Sequence, residues 1–162
     1  QLHTMVRPSE AAGTEWNEIN REDCLWTIPA ERMKKKKKHA VPLTDEMLKV
    51  LDAMHEISGH RTHVFPSEIN PRNATNAQTA NMALKRMGYE GVLVAHGLRS
   101  LASTTLNEQG FAADIIESAL AHSDKNEVRA AYNRAQYLDQ RREMMTWWSS
   151  HIKNTNQLLD II

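Results

Sequence analysis

The chain has 162 residues, 41% of them hydrophobic, enough for one substantial core and too few for two ordinary domains. Its 20 Lys and Arg balance 20 Asp and Glu, so net charge gives no sign of a polyanionic partner, and the single Cys24 excludes an intramolecular disulfide or a multi-cysteine zinc site. No apolar run approaches membrane-spanning length and Gln1 to Glu10 lacks the order of a signal peptide, so the expectation is a soluble, intracellular protein with no membrane partner.

Leu2, Met5 and Val6 open the chain as the end of an apolar element, which reads as a fragment of something longer. Pro8 suits the first turn of a helix running from Ser9 to Trp16. Leu25, Thr27 and Ile28 with Trp26 have the pattern of a short strand, ended by Pro29. Lys34 to His39 separates it from a second strand, Ala40 to Leu43, giving an antiparallel hairpin or small sheet with a charged, solvated turn. Thr44 is placed to cap a helix carrying Met47, Leu48, Leu51 and Met54 at helical spacing, with Gly59 as its stop. Val64 to Ser67 reads as a brief extended piece and Glu68 to Asn73 as loop. Helices follow at about Asn76 to Met87 before Gly88, Leu98 to Asn107 before Gly110, Ala113 to Leu120 and Glu127 to Asn133. A last helical segment, Leu138 to Ile162, carries Met144, Trp147, Trp148, Ile152 and Leu158. The fold class is therefore α+β, mainly α-helical, with a small antiparallel sheet.

The residues with chemistry are scattered. His96 and Arg99 stand three apart, a spacing that puts both on one side of a helical turn, where they could bind phosphate; alone, the pair is more often an ordinary surface feature. His122 follows Leu120 and Ala121, and Tyr132 comes ten residues later; an isolated Tyr is more often a packing aromatic with a surface hydroxyl. Upstream, Arg7 stands at a helix entry in an R-x-x-E context with Glu10, and Lys34 begins the lysine run before Val41, Pro42 and Leu43.

In this combination and order the chain resembles the tyrosine recombinases. The likeness is to prophage, satellite-phage and genomic-island integrases, through Trp26 to Lys34, Val64 to Ser67, His96 to Arg99, Leu120 to His122 and Val128 to Ala135 leading to Tyr137, Leu138, Arg141 and Arg142. The resemblance implies the DNA breaking-rejoining catalytic fold, with residues 1–162 as the C-terminal catalytic domain and the arm-binding and core-binding domains outside this chain. It implies site-specific recombination that integrates or excises a mobile element in the bacterial cytoplasm, at the nucleoid. The substrate would be double-stranded DNA at attachment sites; other integrase protomers would form a tetramer in the synapse, with accessory DNA-bending proteins, and neither cofactor nor metal would be needed.

Carried over residue by residue, Arg7 and Arg99 would bind the scissile phosphate. Tyr132 would attack it to give a 3′-phosphotyrosyl enzyme. Lys34 would protonate the departing 5′ oxygen, His96 would assist proton transfer and His122 would hydrogen-bond the phosphate. Loss of either arginine is expected to hurt rate more than fold. Lys35 to Lys38 are rival ammonium groups, and Tyr137, fifteen residues past His122, is the rival nucleophile. His39 reads as a hairpin residue, and His55, His60 and His63 lack the paired carboxylates of a metal site. Two other readings compete: a recombinase-derived domain kept for DNA binding or protein contact, and a type IB topoisomerase that reseals the same strand.

Overall fold

The computed structural model describes the backbone of residues 1–122 and 127–159, and the side chains of residues 1–122 and 137–155. Helix α1, Pro8–Ala12, opens with the proline and ends at Gly13, earlier than the sequence pattern implies; Trp16–Glu18 is a separate 3₁₀ turn. Three antiparallel strands follow in the order β1-β2-β3: β1 is Ile19–Asn20, β2 is Leu25–Ile28 and β3 is His39–Pro42. In the expected hairpin, Trp26 pairs with Val41 and Ile28 with His39. The two-residue β1 pairs Ile19 with Trp26 and was too short to leave a periodic signal.

Helix α2, Asp45–Ser58, starts and stops where Thr44 and Gly59 imply. The Thr44 hydroxyl, at the N-cap of α2, also reaches beyond its own helix. It hydrogen-bonds the Ser149 hydroxyl at 2.9 Å, on the last helix. Helix α3, Thr79–Leu84, is shorter than the sequence pattern suggests, because the chain loosens into a π-type turn, Lys85–Tyr89, that closes on Gly88 with φ of 89°. Helices α4, Gly97–Glu108, and α5, Ala113–Ala119, match their expected spans within two residues. The two expected C-terminal segments are instead one helix, α6, Glu127–Leu159. No Gly or Pro stands between Asn133 and Leu138 to interrupt the helical hydrogen bonding.

One apolar core joins the sheet to the helices. Trp26, Ile28 and Val41 from the sheet meet Met47 and Leu51 of α2, Ala102 and Leu106 of α4, Ile116 of α5 and Met144, Met145 and Trp148 of α6. Trp148 also donates its indole N–H to the carbonyl of Leu2 at 3.0 Å, so the described part of α6 docks on its own domain. Arg141 and Arg142, at the end of the stretch that carries the resemblance, are spent on this docking. Arg141 is buried and donates to the carbonyl of Ala40 on β3 at 2.7 Å, while Arg142 donates to the carbonyls of Cys24 and Asp23. Burial lowers the Arg141 pKa to about 10. Among the described residues no helix is long and apolar enough to cross a membrane.

Candidate active site

Arg99 is the centre of the site because of where α4 puts it. Arg99, Ala102 and Leu106 are the buried residues of that helix, spaced at one turn and then another along one stripe. The arginine therefore enters the protein on the core-facing side, and its guanidinium finds backbone carbonyls there: Nη1 donates to Met5 and Nη2 to Leu120, the latter at 2.6 Å. Burial, and next the positive charge of Arg7, depress its pKa, against which the carboxylates of Glu10 and Glu117 act. Two guanidiniums close enough to oppose each other's charge prepare a place for an anion.

Arg7 occupies the N-cap position of α1. Glu10, 2% exposed, accepts the Arg7 backbone N–H at 2.8 Å through one carboxylate oxygen and its guanidinium at 2.8 Å through the other. The R-x-x-E spacing thus has a physical meaning: residue N3 of the helix reaches back to orient the arginine before it. A charge-paired, half-buried guanidinium of this kind keeps donors for a ligand while losing little rotamer freedom on binding it.

His122 joins through its far nitrogen. Ala121 has φ of 52°, an αL residue that turns the chain out of α5, and His122 then stands with Nε2 3.5 Å from Arg99 Nη2. Its Nδ1 lies 2.7 Å from Glu117 Oε2. That carboxylate favours a proton on Nδ1, and with it the ring orientation that turns Nε2 toward the arginine. Glu117 carried no sequence signal: a lone carboxylate five positions before a histidine matches no helical or motif spacing.

The remaining residues stand apart. His96 is at the N-cap position of α4 and exposed, one turn before the buried Arg99, so the expected shared side of the turn is divided between surface and interior. Lys34 is exposed on the turn between β2 and β3. Tyr132 falls within α6, but its side chain lies outside the described residues.

Sequence reasoning passed over His39. It is a hairpin residue as expected, the first of β3 and paired with Ile28, but it turns inward, 8% exposed. The strand's alternation was the signal that could have found it. Its Nε2 is buried with no hydrogen-bond partner among the described residues. Burial first, then the positive charges of Arg141, Arg99 and Arg7, push its pKa down to about 3, opposed by the carbonyl of Ala119. The imidazole is neutral, and Arg141, Arg99 and Arg7 all oppose a positive charge on it.

A stability consequence follows from that depressed pKa. The unfolded chain binds a proton at His39 below about pH 6.5 and the folded chain does not until about pH 3. The stabilisation is complete above pH 6.5 and is lost as pH falls through that window, at about 1.4 kcal/mol per pH unit. Urea unfolding at pH 7 and pH 5 should show the wild-type chain losing about 2 kcal/mol more than His39→Gln, whose amide does not titrate.

Comparison with known proteins places this geometry. The phage integrase family matches residues 1–138. The chain is 57% identical over 153 residues to the prophage integrase IntA of Escherichia coli K12, covering 94% of this chain and 37% of that protein. It is 35% identical over 178 residues to the integrase of Enterobacteria phage P4, covering 99% and 40%. It therefore spans about two fifths of the length of these relatives. Among solved structures, XerA recombinase superposes with a TM-score of 0.63 at 17% identity over 85% of this chain and 54% of that one. The integrase of mycobacterium phage Brujita gives 0.64 at 19% over 90% and 47%, so both share the fold. By the family match and by its curated relatives, this chain belongs to the phage integrase family, the tyrosine recombinases, and corresponds to their catalytic domain.

Proposed function

We propose that the chain cuts and rejoins duplex DNA at attachment sites through a 3′-phosphotyrosyl intermediate, and so integrates or excises a mobile element. The observation that carries this reading is Arg99 beside His122, its guanidinium bonded to the carbonyl of Met5, two residues before the Arg7 that Glu10 holds, in a member of this family.

Arg7 and Arg99 bind the non-bridging oxygens of the scissile phosphate and neutralise the charge that builds at phosphorus. His122 hydrogen-bonds the phosphate, its ring held in place by Glu117. The Tyr132 oxygen attacks in line; its bond to phosphorus forms as the bond from phosphorus to the 5′ oxygen breaks. The phenolic proton leaves with help from His96, and Lys34 gives a proton to the departing oxygen. The 5′-hydroxyl of another strand reverses the sequence, so the phosphodiester is remade without an external energy source. Affinity arises chiefly from phosphate contacts and weakens with salt. On this reading site choice and synapsis rest on core-binding and arm-binding domains, partner protomers assembled as a tetramer, and DNA-bending proteins.

The test is a nicked duplex carrying the junction sequence at which the encoding element is inserted, incubated with the protein in EDTA and resolved on a denaturing gel. A covalent protein-DNA band in which the 3′ phosphate is linked to tyrosine supports the proposal. DNA retention with no covalent band, under conditions where the full-length integrase is also inert, would reduce the domain to a binding module. Relaxation of one duplex without exchange between two would assign it to the topoisomerase class.

A further inference from the structure

Arg32 lies two residues before Lys34, at the end of a 3₁₀ turn, Ala30–Arg32, and its donors are committed away from the lysine. Nη1 donates to both carboxylate oxygens of Glu18, and Nη2 to the backbone carbonyl of Glu10 at 2.5 Å. Glu18, whose side chain is 7% exposed, also accepts the indole N–H of Trp26 on β2 at 2.9 Å. Gly13 makes room for the guanidinium: a Cβ there would meet Arg32 Nη2 at 3.0 Å. Glu10 is the residue that holds Arg7. A continuous set of contacts therefore runs from the root of the lysine turn, through Arg32 and Glu10, to a phosphate-binding arginine of the proposed site.

We propose that Arg32 is a positioning residue for proton delivery to the leaving 5′ oxygen: it fastens the root of the lysine turn to α1, so that the Lys34 ammonium and the Arg7 guanidinium address the same phosphate at a fixed separation. The proposal rests on reading Lys34 as the general acid. Lys34 is itself exposed on a turn of five consecutive lysines. Such a flexible ammonium is selected for chemistry over its neighbours only if the base of its loop is held. The bidentate fork of Arg32 supplies that hold, and a lysine in its place does not span Glu18 and the Glu10 carbonyl together.

The experiment exploits the leaving group. With the scissile 5′ oxygen replaced by sulfur, Tyr132 forms its bond to phosphorus as the phosphorus-sulfur bond breaks, and the group departs as a thiolate, which needs no proton because a thiol has a pKa of about 8.5. Cleavage rates of the intact integrase are measured on oxygen and sulfur duplexes for wild type, Lys34→Ala, Arg32→Ala and Arg32→Lys. On the oxygen duplex Lys34→Ala is expected to be slowed by about 100-fold or more and Arg32→Ala by about 10- to 100-fold. On the sulfur duplex both should come within about threefold of wild type, a rescue that a variant damaged only in fold or DNA binding would not show. Arg32→Lys should follow Arg32→Ala. If Arg32→Ala does not fold, Glu18→Gln, which weakens the same clamp, is expected to give the same rescue. Rescue of Lys34→Ala without rescue of the Arg32 and Glu18 variants overturns the role of Arg32 and leaves Lys34 as the acid. Failure to rescue Lys34→Ala overturns the reading of Lys34 itself, and the proposal with it.

Discussion

Tyr132→Phe is expected to abolish the covalent protein-DNA band on a nicked duplex, a loss of at least about 10⁴-fold, while Tyr137→Phe leaves the band within about threefold of wild type. The first substitution removes one oxygen, and with it the atom that would bond to phosphorus; charge stabilisation by the arginines has nothing left to act on. Tyr137 is unsuited to the task by its surroundings. Its hydroxyl is 3.4 Å from Asp114 Oδ2 on α5, and a carboxylate at that position repels an approaching phosphate. The two tyrosines are five positions apart on α6, and at 3.6 residues per turn such positions fall on different sides of a helix. Circular dichroism of both variants checks that neither result is a folding defect. A band that survives Tyr132→Phe and disappears with Tyr137→Phe would reverse the assignment.

The hairpin and helices α2 and α4 were legible because their apolar positions repeat at the period of the element. Trp26 and Ile28 of β2, Met47 and Leu51 of α2, and Ala102 and Leu106 of α4 are buried at those periods. Local pattern fell short where the deciding interaction is distant in sequence. Nothing near Thr44 announces that its hydroxyl will bond Ser149, 105 residues away, and no local pattern marks β1, whose two residues exist as a strand only through β2. The site divides in the same way. Motif order named Arg7 with its partner Glu10, Arg99 and His122, but not Glu117, which holds the His122 ring through a contact that no spacing rule encodes. Neutral composition hid the basic site for a related reason: Arg141 and Arg142 tie α6 to the sheet, while Arg7 and Arg99 concentrate charge at one point of a chain whose formal net charge is zero.

Arg99→Ala should separate two roles that one side chain performs. On the surface view of a phosphate-binding arginine, its loss slows cleavage and spares the fold. Here the guanidinium is 4% exposed and holds the carbonyls of Met5 and Leu120. Truncation leaves both acceptors without that donor, at about 1–3 kcal/mol for each that stays dry. The expected result is a stability loss of about 2–4 kcal/mol in urea unfolding, together with a fall in cleavage of about 10³-fold among the molecules that remain folded. Arg99→Lys keeps a charge but not the fork; a single ammonium does not bridge two carbonyls and still present donors to phosphate, so it should recover part of the stability and little of the rate. The Leu120 carbonyl belongs to the turn that delivers His122, so releasing it also frees the imidazole from its 3.5 Å approach to the arginine. A double-mutant cycle of Arg99→Lys with His122→Ala measures this coupling. Sub-additive rate losses are the expected outcome, since a histidine already displaced by the first substitution has little left to lose in the second, and strictly additive losses would mean that the arginine and the histidine meet the phosphate independently.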